Sequence, residues 1–158
     1  MSSSEWDGVP PMIAQGQIVD EIAREVVAGA PTDWQRLQFQ ASILAPTTEY
    51  FLFVEKPDGS RQKVFSSPRA KELSRELRTV MQMPGRGSWF SFDLVIDSTL
   101  AVTTRFNYEE EPRFSPPGID PIAYVADQEK FPRDEDKQPE WLKAKLAEGR
   151  AALAARGK

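Results

Sequence analysis

The chain has 158 residues, a hydrophobic fraction of 40% and a formal net charge of −4, so it is long and apolar enough to bury a core as one domain. It contains no histidine and no cysteine, which excludes the imidazole general base, the thiolate nucleophile and most transition-metal sites. The remaining titratable groups catalyse only where their pKa values are strongly shifted. We therefore expect a binding protein that is not an enzyme, with no catalytic residues, no metal and no cofactor.

The sequence also carries no sign of export or membrane insertion. No apolar run approaches the roughly 20 residues that span a bilayer. The segment from Met1 to Asp7 lacks the basic and apolar regions of a signal peptide. We expect a cytoplasmic protein with no membrane partner.

The first predicted element is a helix over residues 15–29, with apolar residues at four-residue spacing from Ile18 to Val26. We expect residues 1–14 to form a flexible N-terminus. Trp6 lies outside any periodic face, and it is therefore either disordered or docked on the domain.

Alternation of apolar and polar residues follows the helix and predicts strands with one polar face, which is typical of an antiparallel sheet. A helix beginning at Ser67-Pro68 interrupts the strands, because serine caps helices and proline favours their first position. We expect Pro84–Gly87, after this helix, to be a flexible connector. The predicted strands are residues 37–43, 49–55, 62–65, 90–96 and 100–108.

The last third of the chain differs from the rest in composition. Three prolines among residues 112–117 exclude regular structure there. A helix with Ile122 and Val125 inward is predicted after Asp120-Pro121, and a final helix with Trp141, Leu142, Leu146 and Leu153 after Gln138-Pro139. The fold class is therefore α+β: a single domain over residues 1–158, with a mostly antiparallel β-meander of about five strands, helices packed on one face, and an acidic loop and helical C-terminal tail over residues 109–158.

The acidity is concentrated in one segment. Residues 109–140 contain ten acidic and four basic residues, whereas the rest of the chain has fourteen and sixteen. Nucleic-acid binding requires the opposite sign, so we expect no nucleic-acid partner. Such charge runs often serve only solubility, and that interpretation of Glu109–Glu111 stays open.

The order of elements and the residues between them resemble the YezG-type antitoxin family, the immunity proteins of bacterial polymorphic toxin systems. The tail after Tyr108 is also similar to immunity factors of NAD-glycohydrolase necrotizing toxins of actinobacteria. The resemblance rests on Asp33-Trp34 and the alternating strand after it, the helix from Leu73 to Met81 with Trp89, the segment Phe106-Asn107-Tyr108, and the tail residues Pro121, Tyr124, Phe131-Pro132-Arg133, Pro139 and Trp141-Leu142.

This resemblance implies an immunity protein that binds a cognate secreted toxin, either an NAD-glycohydrolase or a nuclease, and blocks its active site. A monomer that forms a 1:1 complex is expected. A negative inhibitor gains association rate toward a positive cleft, and apolar anchors such as Phe114 and Phe131 suit the centre of an interface. Phe131 has a second interpretation, in which Phe131-Pro132-Arg133 packs and turns a helix end. The predicted partner-binding residues are Glu109, Glu110, Glu111, Phe114, Asp134, Glu135 and Asp136, with Phe114 nearest the centre.

Two other functional classes remain open. A small acidic secretion chaperone would bind an extended effector segment along its sheet and helices, and such chaperones are usually dimers. A carboxylate-only hydrolase or a ligand-binding fold would need a deep pocket with perturbed acids. Asp93 and Asp97 lie on one polar strand face, but no third ligand completes a metal site.

Overall fold

The computed structural model describes residues 5–157, which form four α-helices, one 3₁₀ turn and a five-stranded sheet. The helices are α1 (Pro11–Ala28), α2 (Pro68–Val80), α3 (Ile122–Lys130) and α4 (Glu140–Arg156), with the 3₁₀ turn at Glu135–Lys137. The strands are β1 (Arg36–Leu44), β2 (Thr47–Glu55), β3 (Arg61–Val64), β4 (Ser91–Asp97) and β5 (Val102–Asn107).

The sheet order, which the sequence left open, is β3-β2-β1-β4-β5, and every pairing is antiparallel. Strand β1 is central, because β2 pairs along one side of it and the β4–β5 hairpin joins the other side after α2. The predicted α+β class, with a single domain and a helical C-terminal segment, is confirmed.

Helices α1 and α2 cover one face of the sheet. The inward residues of β1 alternate as predicted, and Leu37 and Phe39 are fully buried against the two helices. Ser67 caps α2 by accepting a hydrogen bond from the Ala70 amide at 3.0 Å, and its hydroxyl donates to Glu25 of α1 at 3.0 Å. The cap contributes about 1 kcal/mol, and the second bond fixes the two helices side by side.

We call the opposite face of the sheet, away from α1 and α2, the open face. Gln38 and Asp93 lie on it, as the alternation requires. Two aromatic residues of β2, Phe51 and Phe53, also lie there, each with a cation above its ring: Lys63 at 4.5 Å and Arg61 at 4.2 Å from the ring centroids. A period-two pattern therefore yields one apolar face and one mixed face.

Residues 5–14, which we expected to belong to a flexible N-terminus, contain the start of a helix and a buried tryptophan. Helix α1 begins at Pro11 rather than at residue 15, since proline suits the first helical position. Trp6 is docked: it is 8% exposed in the core, and its indole N–H donates to the Glu76 carboxylate at 3.0 Å. The part of the prediction that concerns residues 1–4 lies outside the described residues.

Helices α3 and α4 form a second, smaller core at one end of the sheet. This core is built on Leu44, at the end of β1, and on Phe90, just before β4, which contact Tyr124 of α3 and Leu146 of α4. The helices approach closely at Gly149, where a Cβ atom would lie 2.6 Å from the Pro121 carbonyl oxygen. Of the apolar residues predicted for the last helix, Leu142 and Leu146 are buried, whereas Leu153 is 42% exposed.

A buried ion pair joins the two cores. Arg78 of α2 and Asp127 of α3 are 1% and 5% exposed, and two guanidinium nitrogens donate to the two carboxylate oxygens at 2.5 and 2.8 Å. The Arg78 Nε–H donates to the Trp89 carbonyl at 2.7 Å, and the Ala45 amide donates to Asp127 at 2.7 Å. Each side-chain nitrogen of Arg78 and each carboxylate oxygen of Asp127 thus has a hydrogen-bond partner, which buried charges require.

We predict that Asp127→Asn lowers the free energy of unfolding by about 3 kcal/mol or more, because the buried Arg78 charge loses its counter-ion. Chemical denaturation measures this change. Glu140→Gln is the matched control, since Glu140 pairs with Lys143 on the surface and its loss should leave stability unchanged. Equal effects of the two substitutions would contradict the structural role of the buried pair.

Candidate functional site

The acidic segment after β5 forms a strap, residues 109–115, that runs along one row of the open face. The row consists of Asn107, Ser91, Ser42 and Glu49, which the strand register aligns across β5, β4, β1 and β2. Four adjacent strands span about 14 Å, a distance that seven residues cross with room to bend. The strap thus leaves the sheet at one edge of this row and reaches its far end.

Asn107 holds the start of the strap. Its side-chain oxygen accepts hydrogen bonds from the Glu109 and Glu110 amides at 3.2 and 2.8 Å. Its side-chain nitrogen donates to the Glu110 carbonyl at 2.9 Å and to the Ser91 hydroxyl at 3.0 Å. One side chain therefore fixes the backbone of two glutamates while their carboxylates stay exposed.

Two further contacts hold the rest of the strap. The Ser115 amide donates to both oxygens of the Glu49 carboxylate, at 3.0 and 3.3 Å. On the helical side, the indole N–H of Trp141 donates to the Glu109 carbonyl at 2.7 Å. Pro112, in the middle, is buried. The strap is accordingly fixed at both ends and at its centre.

A groove of about 830 Å³ lies between the strap and the open face. Five acidic and two basic residues line it, so its charge is negative. Phe51 supplies aromatic surface on the sheet side. The charged lining residues are Glu49, Asp93, Glu109, Glu110, Glu111, Arg105 and Arg113.

A second cavity, of about 400 Å³, lies on the other side of Glu109. Its wall includes Tyr108, whose pKa is raised by burial, and Arg86 in the turn after α2. This turn is fixed by hydrogen bonds, among them one of 2.8 Å from the Asp134 amide to the Gly85 carbonyl, and is therefore not the free connector expected for Pro84–Gly87. Gly85 has φ +76°, and the Asp134 carboxylate occupies the space of a Cβ atom.

The structure brings some of the predicted partner-binding residues together. Glu109, Glu110 and Glu111 form the exposed edge of the strap, and Asp134, Glu135 and Asp136 are exposed in the segment that contains the 3₁₀ turn. Glu109 and Asp136 line the same 400 Å³ cavity, which makes the two acidic groups neighbours there.

The two aromatic candidates occupy different environments from those expected at an interface centre. Phe114 is half-buried and packs against the second core, and it lines a separate cavity with Glu111 and Tyr124. Phe131 is 5% exposed and stacks under the Arg78 guanidinium at 4.4 Å from its ring centroid. The prediction of Phe131 as an exposed anchor is wrong, and the alternative, in which it packs at a helix end, is confirmed.

Sequence reasoning missed the residues that hold the strap. Asparagine side chains often form turns with the backbone that follows them. The role of Asn107, two residues before the three glutamates, could therefore have been predicted from the sequence. Glu49 and Trp141 carry no such signal, because their partners lie 66 and 32 residues away. Phe65, predicted as the last residue of the third strand, instead lies 99% exposed in the loop after β3.

Within residues 5–157, no cluster of three or more carboxylates is arranged to hold a metal ion. Nor does any helix in this range combine the length and apolar character needed to cross a bilayer. Comparison with protein-family models and with curated proteins finds no match for this chain.

We predict that Asn107→Ala loosens the strap, since two amides and one carbonyl lose their partner. A glutamate-specific protease should then cleave after Glu109 and Glu110 several times faster than in the original protein. Ser91→Ala, which removes an Asn107 contact outside the strap, should not accelerate cleavage. Equal cleavage of all three proteins, with unchanged thermal stability, would mean that Asn107 does not hold the strap.

Proposed function

We propose that this chain is an immunity protein, an antitoxin that binds a cognate secreted toxin and blocks its active site. The observation that carries the proposal is the strap: three consecutive glutamates with exposed carboxylates on a backbone fixed by Asn107, Glu49 and Trp141.

The fixed backbone bears directly on affinity. Binding by a free loop must order it at the moment of association, which weakens the complex. Here the contacts of Asn107 and Trp141 order the strap before any partner arrives. A solvated loop that serves only solubility needs no such anchors, and this difference favours binding over solubility.

The charge of the groove supports a basic partner surface. Five carboxylates around one groove attract a positive cleft over distances comparable to the Debye length, about 8 Å at physiological salt. Clefts that bind nucleic acid or phosphate-bearing cofactors carry that charge, which agrees with a nuclease or an NAD-glycohydrolase as the toxin. The same charge disfavours nucleic acid as the direct partner.

The proposal includes the setting in which the protein acts. An inhibitor of a toxin that attacks nucleic acid or NAD protects the cytoplasm, so we propose a cytoplasmic protein that is monomeric when free and binds its toxin 1:1. It performs no chemistry of its own. Asp134, Glu135 and Asp136 extend the acidic surface beside Glu109.

A secretion chaperone is the second candidate, and the open face is the observation that favours it. Phe51 and Phe53 are neighbouring aromatic side chains on that face, and extended segments bind such surfaces. Lys63 and Arg61 cover both rings, however, and a chaperone would have to displace them. A dimer in solution would favour the chaperone over the inhibitor.

We predict that glutamine at positions 109, 110 and 111 slows association with the cognate toxin about tenfold at low salt and much less at high salt, because these charges steer the encounter. Phe114→Ala should mainly accelerate dissociation. Stopped-flow or surface-based kinetics measure both rates.

The matched control replaces Glu129, Glu140 and Glu148 with glutamine. These residues are exposed on α3 and α4, and their loss changes the net charge equally. An association rate that falls by the same factor in both triple variants would indicate net charge alone. Unchanged rates for the strap variant would show that the toxin contacts another surface.

A further inference from the structure

The cavity beside Glu109 contains a feature that the acidic strap does not explain. Arg133, at its base, is 5% exposed although arginine is rarely buried without a counter-ion. One guanidinium nitrogen donates to the Ser88 carbonyl at 2.9 Å, and the group stacks 4.3 Å from the centroid of Phe90. Within residues 5–157 it has no ion-pair partner, in contrast to Arg78.

Besides the bond to Ser88, no guanidinium N–H of Arg133 has a hydrogen-bond partner among the described residues. Among the described residues, only the indole nitrogen of Trp89 is both buried and without a hydrogen-bond partner. The free guanidinium nitrogens of Arg133 therefore reach solvent, and the 400 Å³ cavity is the space that the residue lines. Burial lowers the pKa of Arg133, and the nearby charges of Glu109 and Asp127 partly counteract that effect.

Two more cations line the same space. Arg86 comes from the turn after α2, and Lys137 from the 3₁₀ turn, and both are exposed. A volume of this size accommodates a small molecule. The three cations come from separate segments, and one of them is a buried guanidinium group. Together they complement the charge and geometry of a phosphate group.

We propose that this cavity binds the phosphate group of a small molecule, with Arg133 at its base and Arg86 and Lys137 above it. The site is distinct from the groove between the strap and the open face, and it does not depend on the proposed toxin. Glu109 and Asp136 also line the cavity, and their negative charge opposes phosphate. Glu109 belongs to the strap as well, so an anion in the cavity and a partner on the strap would influence each other.

The test is titration of the ¹⁵N-labelled protein with inorganic phosphate at constant ionic strength, followed by NMR. We expect saturable shifts of the Arg133 Nε–H and of the Tyr108 and Lys137 amides, with a millimolar dissociation constant. Sodium chloride should produce no saturable shift, and acetate a weaker one. Shifts that are the same with chloride, or acetate binding as tight as phosphate, would overturn the proposal.

Variants give the second arm of the test. Glu109→Gln should tighten phosphate binding about two- to fivefold, since it removes an opposing charge. Glu110→Gln, its neighbour outside the cavity, is the matched control and should have no effect. Arg86→Gln with Lys137→Gln should weaken binding at least fivefold without disturbing the fold, because both side chains are exposed.

Arg133→Lys keeps the positive charge but removes the planar guanidinium group with its paired N–H donors. This variant should abolish the saturable shift of the Tyr108 amide. If this variant fails to fold, the exposed double variant still decides the question. Unchanged affinity in that double variant, or equal effects of Glu109→Gln and Glu110→Gln, would overturn the phosphate site.

Discussion

The buried pair of Arg78 and Asp127 is the interaction on which the rest of this structure depends. Arg78 comes from the helix layer on the sheet, and Asp127 from the helical tail. Each also binds a backbone group at the end of the sheet, the Trp89 carbonyl and the Ala45 amide. A single contact thus fixes α2, α3 and the ends of β1 and β4 relative to one another, and it joins the two hydrophobic cores.

The position of the strap follows from that junction. Its sheet-side anchors, Asn107 and Glu49, belong to the first part of the fold, whereas Trp141 belongs to α4 in the tail. Trp141 also stacks edge-on against Phe90 and Tyr124, with ring centroids 5.1 and 5.7 Å apart. If the tail were not fixed to the sheet, the strap would keep its contacts with Asn107 and Glu49 but lose its contact with Trp141. The acidic strap therefore has a fixed shape only because both the sheet and the helical tail bind it.

Local patterns predicted most of the fold and little of the site. Alternation between Leu37 and Ile43 is a property of the strand itself, and Ser67-Pro68 is a local capping signal, so both were visible in the sequence. The Arg78–Asp127 contact joins residues 49 positions apart. In sequence, Asp127 is one of ten acids in an acidic segment, and nothing local distinguishes the buried one from the exposed ones.

The same limit explains why the sequence offered Phe131 as an exposed anchor and left the position of Trp6 undecided. Phe131 lies in a polar, proline-containing stretch that resembles an exposed loop, yet Arg78 covers its ring. Trp6 lacks periodic neighbours, but Glu76 lies 70 residues away and accepts its N–H. The residues that bury a loop side chain can be far from it in sequence, so the local sequence does not reveal them. The glutamates of the strap are exposed, as their local charge indicates, and their role in partner binding stays a prediction.

The hydrogen bonds of Asn107, Glu49 and Trp141 give the acidic strap its shape before a partner binds. Backbone ¹⁵N relaxation of the free protein tests it most directly, because order parameters report motion on the picosecond to nanosecond scale. We expect order parameters of about 0.85 for the Glu109, Glu110 and Glu111 amides, equal to those of the neighbouring strand β5. Values below about 0.6 at these three residues, with β5 rigid, would contradict it.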